Sequence, residues 1–142
     1  RGAAMVEFAI VMPLLALLLF GIFEFGYVFG QHLDVRHGAR EGARLATVNF
    51  APTEESGEAR SEALVAEICN RMTLATDSTV TITSPQAPAV SQGDFVVVTV
   101  QSAAEQVTGF FGPVLNDVSL ESAVEMRVEA ALEYSLPYEG TC

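Results

Sequence analysis

Residues 8–30 read FAIVMPLLALLLFGIFEFGYVFG, and within them only Glu24 is charged. About 20 apolar residues in a helix cross the hydrocarbon core of a bilayer, so this stretch predicts one membrane span. A secretory signal peptide has an apolar region of only about 7–15 residues followed by a small-residue cut site. Nothing after Leu19 resembles such a site, and the segment is expected to persist in the mature protein. Beyond Gly30 the pattern turns amphipathic. Arg36, Arg40 and Arg44 recur at four-residue spacing along one stripe, with Leu33, His37 and Ala43 elsewhere around the helix. The same helix is expected to continue to about Val48, a rod on the order of 65 Å at about 1.5 Å per residue.

Outward from that rod, residues 52–56 (Pro52 to Ser56) break the helix. Thr53 followed by Glu54 and Glu55 offers an oxygen cap and first-turn acids for a second helix, expected over 54–74 with Leu64, Val65, Ile68, Cys69 and Met72 on its apolar face. Val80 and Ile82 alternate with threonines, and residues 95–100 are rich in β-branched side chains, predicting two strands that form a hairpin across the turn-rich stretch 84–93. A third strand places Leu120, Val124, Met126 and Val128 on one face and Glu121, Glu125, Arg127 and Glu129 on the other. Between these last two strands, Val107, Phe110, Phe111, Val114 and Leu115 are interrupted by Gly109, Gly112 and Pro113, which suits a short turn of helix or an apolar hook. Phe110 and Phe111 are expected in the core, or else on an exposed docking patch. Residues 134–142 look like a tail held only by a disulfide. The predicted fold class is α+β: a long N-terminal transmembrane helix continuing out of the membrane, then a helix and a small antiparallel sheet of about three strands.

The chain has 142 residues, enough for one span (1–48) and one extracytoplasmic head domain (49–142) but not for two independent cores. Four arginines and four acids cancel within residues 1–47, so the entire net charge of −11 falls on the head. An acidic head repels nucleic acid and anionic lipid, and the prediction is no nucleic-acid partner. Cys69 and Cys142 match neither a zinc pattern nor a CxxC redox pair. Outside the cytoplasm they would form a disulfide tying the C-terminus to the domain; the alternative is two buried free thiols. His32 and His37, five residues apart, are poorly spaced for a shared metal. No phosphate loop, nucleophile elbow or HExxH motif occurs, so no catalytic, cofactor-binding or metal-binding residues are predicted.

Just ahead of the span lies Gly2-Ala-Ala-Met-Val-Glu7-Phe8, with a carboxylate whose burial needs a partner. The run from Arg1 to Leu15, with Pro13 inside it, resembles the processing and assembly segment of type IV pilin-like proteins. The stretches Phe20-Gly-Ile-Phe-Glu24-Phe-Gly26 and Ala39-Arg40-Glu41-Gly42-Ala43-Arg44 look like the TadE-like family of pseudopilins of the tight-adherence pilus. That resemblance implies a prepilin-type peptidase cutting after Gly2, so that Ala3 becomes the N-terminus and Glu7 the fifth residue. Glu7 and Phe8 would then dock a neighbouring subunit, the carboxylate pairing with the freed amine and setting axial register. If Arg1 and Gly2 remain in place, the filament role weakens.

Pro13 removes a helix hydrogen bond and is either the place where the helix extends on packing or a tolerated membrane proline. Glu24 is expected to pair with a neighbouring subunit's Arg or a backbone donor, or to snorkel to the interface. Gly26 and Gly30 form a GxxxG that would let another helix approach. Arg36, Arg40 and Arg44 form a basic collar with Asp34 and Glu41 as intrahelical partners, either solvated or packed against lipid phosphate or acidic neighbours. Such a collar opposes the positive-inside rule for an exported head, so further basic residues are expected ahead of Arg1. The implied partners are membrane lipid and other pilin-like subunits, or the helices of a larger complex in which this chain is an uncleaved single-span accessory subunit. A membrane-tethered binding protein or enzyme is a third possibility. The implied location is the cell membrane, single-pass.

Overall fold

The computed structural model describes residues 2–51 and 53–142; Arg1 and the predicted break at Pro52 lie outside the described residues. One helix, α1 (Gly2–Thr47), runs without interruption through Pro13. Its first half is exposed along its length, with Phe8, Ile10, Leu14 and Ile22 all more than 60% accessible. The segment is long and apolar enough to cross a membrane. Its second half packs into the head, where Val35, Ala39, Ala43 and Ala46 are fully buried. The packed unit therefore begins inside α1 rather than after it. The chain reverses after α1 through left-handed Asn49 and Ala51 (φ 54 and 58).

The second helix, α2 (Gly57–Arg71), is shorter at both ends than its sequence suggests. Ser56, not Thr53, is the cap: its Oγ accepts from Ala59 N at 3.1 Å, while Glu54 N is already used in a turn to Ala51 O. At the far end Asp34 of α1 ends the helix. Its Oδ2 accepts from the N–H groups of Thr73, Leu74 and Ala75 at 2.7, 2.7 and 3.1 Å, drawing away donors that a longer helix would need. Asp34 is thus an anchor for the head and not an intrahelical partner of the collar.

The sheet has four antiparallel strands, β1 (Ser78–Thr83), β2 (Phe95–Ala103), β3 (Ser119–Arg127) and β4 (Tyr138–Thr141), in the order β3-β2-β1-β4. The hairpin pairs Val80 with Val100 and Ile82 with Val98, and β2 pairs Val98 with Val124. Period-two alternation puts Val80, Ile82, Val96, Val98 and Val100 under α1 and α2 and leaves Glu121, Glu125 and Arg127 on the open face. The fourth strand corrects the expected tail: Tyr138–Thr141 pairs with the free edge of β1, Ile82 opposite Tyr138 and Thr79 opposite Thr141. It needs Gly140 where it passes under α2, because a Cβ there would lie 2.9 Å from Val65 Cγ1. Cys69 and Cys142 form a disulfide across 73 residues, with Cα atoms 5.3 Å apart, which joins α2 to the end of β4. Between β2 and β3 a short helix, α3 (Gly112–Leu115), sits in the hook.

Candidate functional site at the junction of helix and head

Because α1 advances about 100° per residue, residues spaced three and four apart share a face. The face turned to the head begins at Glu24 and continues through Gln31, Val35, Gly38, Gly42 and Leu45, all buried. Small residues set how closely the head approaches. A methyl group at Gly38 would fall 2.6 Å from Met72 Sδ, and one at Gly42 would fall 2.5 Å from Ile68 Cδ1 and 3.2 Å from Val98 Cγ1.

Toward the apolar half of α1, this face becomes polar and receives the segment between β2 and β3. Gln31 makes a two-way bond with Glu105: its Nε2 donates to Glu105 O at 3.0 Å, and its Oε1 accepts from Glu105 N at 2.9 Å. Seven residues earlier, Glu24 accepts from Val107 N (2.9 Å), Thr108 N (3.0 Å) and Thr108 Oγ1 (2.6 Å), and is fully buried. Its partners are therefore backbone and hydroxyl donors of this same chain. Of the expected partners, the backbone donor is the one found, and each carboxylate oxygen accepts at least one hydrogen bond. Phe111 packs on Phe25 (centroids 5.6 Å apart), and a methyl at Gly21 would lie 3.4 Å from its ring. Phe110 is 62% exposed and Phe111 partly buried, so of the two expected placements Phe110 takes the exposed patch and not the core.

The other predicted residues divide by position. Gly2, Ala3, Glu7, Phe8 and Pro13 lie on the exposed half of α1. Gly26 has open space around the position of a side chain, whereas Gly30 faces Leu74 of the head at 3.2 Å, so the two glycines meet different surroundings. Arg36, Arg40 and Arg44 are exposed on the side of α1 away from the core. Arg44 donates to Glu41 through Nε (3.0 Å) and Nη2 (2.6 Å), and Arg71 of α2 also pairs with Glu41. The bonded Arg44 guanidinium holds the Glu41 carboxyl below the usual carboxylate range, with Arg71 and His37 adding to the effect; Arg44 is raised in turn. Farther along, Tyr134 donates to Phe50 O at 3.2 Å, and burial pushes its phenol upward. Among the described residues no group of three or more His, Cys, Asp or Glu is placed to hold a metal ion.

Sequence reasoning missed Gln31, Gly38, Gly42, Thr108 and the anchoring role of Asp34. A signal for the first three was present. Polar Glu24 and Gln31, seven apart, continue into the small and apolar positions 35, 38, 39, 42, 43 and 46, which marks a packed face directed at the chain's own head.

A half-bare apolar helix, continuous with a half-helix built into an antiparallel α+β head, defines the pilin-like class of architecture. Residues 2–44 match the protein family described as TadE-like protein, so the N-terminal helix carries the TadE-like signature. The match ends within α1 and leaves the rest of the head outside it. The family is one of pilin-like proteins associated with the tight-adherence pilus, and is generally non-enzymatic. No curated protein and no solved structure matches the chain.

Proposed function

We propose that this protein is a membrane-anchored, pilin-like subunit of a tight-adherence pilus, with its head outside the cytoplasm, acting through helix packing and head contacts rather than catalysis. The observation that carries this reading is the match over residues 2–44 on a helix whose first half is free and whose second half is locked into the head. A free apolar half-helix suits lateral packing, first with lipid and then with the same segment of other subunits. The disulfide supports an exported head, since such bonds persist in oxidising compartments.

On this reading a prepilin-type peptidase cuts after Gly2, and the new amine of Ala3 on one subunit pairs with Glu7 of its neighbour. Within an apolar bundle that ion pair offsets the cost of burying both charges and selects one axial register. Phe8 packs beside it, and Pro13, lacking an N–H, lets the helix lengthen locally as subunits close up. Replacing Glu7 with Leu in the native host should abolish surface pili while leaving the amount of the protein in membranes unchanged. Normal piliation by that variant would overturn the reading.

A further inference from the structure

The hook between β2 and β3 has the construction of a segment that leaves water. It is closed at its neck by Ala104 N to Val118 O (2.9 Å) and Gln106 Nε2 to Asn116 Oδ1 (2.7 Å). From Gln106 to Asn116 it contains no charged residue, although the head around it is strongly acidic. Seven of its backbone N–H groups have acceptors within the chain. Val107 and Thr108 donate to Glu24, Phe110 to Thr108 Oγ1, Gly112 to Gly109 O, Val114 and Leu115 to Phe111 O, and Asn116 to Gly112 O. Backbone groups satisfied in this way lower the cost of bringing an irregular segment to the boundary of an apolar medium, where fully lipid-exposed loops are not tolerated. Meanwhile Val107, Phe110 and Val114 point outward, 62, 62 and 65% exposed.

The position of the hook along α1 identifies the medium. A hydrocarbon core of about 30 Å takes about 20 helical residues, so a crossing that begins at Phe8 ends near Tyr27. Glu24 and Gly21, which hold the hook, lie three and six residues short of that point, on the order of 5–9 Å below the boundary. Interfacial helices and loops bury their apolar faces about 5–10 Å into the headgroup and acyl boundary. Ile22, Phe25 and Phe29 of α1 are exposed as well, and the hook meets this part of the helix through Phe111, which packs on both Phe25 and Phe110.

We propose that the hook is a second membrane contact: Val107, Phe110 and Val114 enter the leaflet on the head's side, and Glu24 serves as the internal acceptor that lets the hook's backbone do so. The inference rests on the reading of residues 8–30 as a span. Since the head is already locked to α1, the contact fixes the tilt and rotation of the whole molecule relative to the bilayer.

The chain contains no tryptophan, so single tryptophans report cleanly. The full chain is reconstituted at low protein density in phosphatidylcholine vesicles containing lipid brominated high on the acyl chain, with Phe110→Trp, Val114→Trp, Phe23→Trp in the span and Phe95→Trp on the open sheet face compared. The proposal expects Phe110→Trp and Val114→Trp to emit to the blue of Phe95→Trp and to be quenched by the brominated lipid, with no change on further dilution in lipid. Quenching of Phe23→Trp alone would overturn the hook contact and leave the span standing, whereas an unquenched Phe23→Trp would overturn the span itself. Blue emission at residue 110 that is lost on dilution would assign the surface to a second copy of the chain and equally overturn the proposal.

Discussion

Removing the Cys69–Cys142 bond tests how the end of the chain is held. The bond closes a loop spanning 73 residues. The loop entropy it withdraws from the unfolded chain corresponds to about 4 kcal/mol at 25 °C. For a domain of this size that is a fall in melting temperature on the order of 15–30 °C. The structure also specifies where the loss is felt. The strand β4 has only four residues, pairs with β1 on one side, lies under α2 at Gly140, and ends at the disulfide. The Cys69→Ser, Cys142→Ser double variant should therefore lose hydrogen-exchange protection in β4 first, while the β1–β2–β3 pairing stays protected. Urea titration of the full chain in micelles, oxidised wild type against double variant, measures the total. A loss below about 1 kcal/mol would refute the loop-closure reasoning, and β4 amides as protected as those of β2 would show that strand pairing alone holds the C-terminus.

Four further outcomes follow from the junction. Gly42→Ala sets a Cβ 2.5 Å from Ile68 Cδ1; overpacking of about 1–3 kcal/mol outweighs or cancels the roughly 1 kcal/mol gained in helix propensity. Gly26→Ala, which meets open space, should leave head stability unchanged in the same melt. Asp34→Ala removes the shared acceptor of three N–H groups and should cost about 1–3 kcal/mol, with Asp34→Asn recovering part of it. Because the folded Glu41 carboxyl is held below its ordinary value of 4.5, its contribution is complete above that pH and is lost as the pH falls through the lowered value. Wild type should thus lose more urea resistance than Glu41→Gln on acidification below pH 4.5, and identical slopes would remove Arg44 and Arg71 as the cause.

The long helix was legible because 23 nearly uncharged residues leave few other structures open, and the first three strands because their alternation is strong. The fourth strand was hidden by its brevity, by Gly140 and by Pro137 just ahead of it; its pairing depends on the distant edge of β1, which no local pattern reports. Glu24 illustrates a different limit. Its presence in an apolar run marked it as a residue in need of a partner, but its donors, Val107 and Thr108, are backbone and hydroxyl groups more than 80 positions away. Periodicity identified a face on α1 without saying whether another subunit or the chain's own head covers it. The extent of α2 was overestimated for a related reason, since Asp34 captures N–H groups beyond its end through a contact across 39 to 41 residues.

The proposed role of the bare half of α1 depends on the chemistry at its start, where Glu7 needs the amine of a processed neighbour. The mass of the N-terminal peptide of the native protein, isolated from host membranes, reads this directly. The account predicts a chain beginning at Ala3. A chain that keeps Gly2 and the residue before it would contradict the amine pairing and point to a permanently anchored subunit.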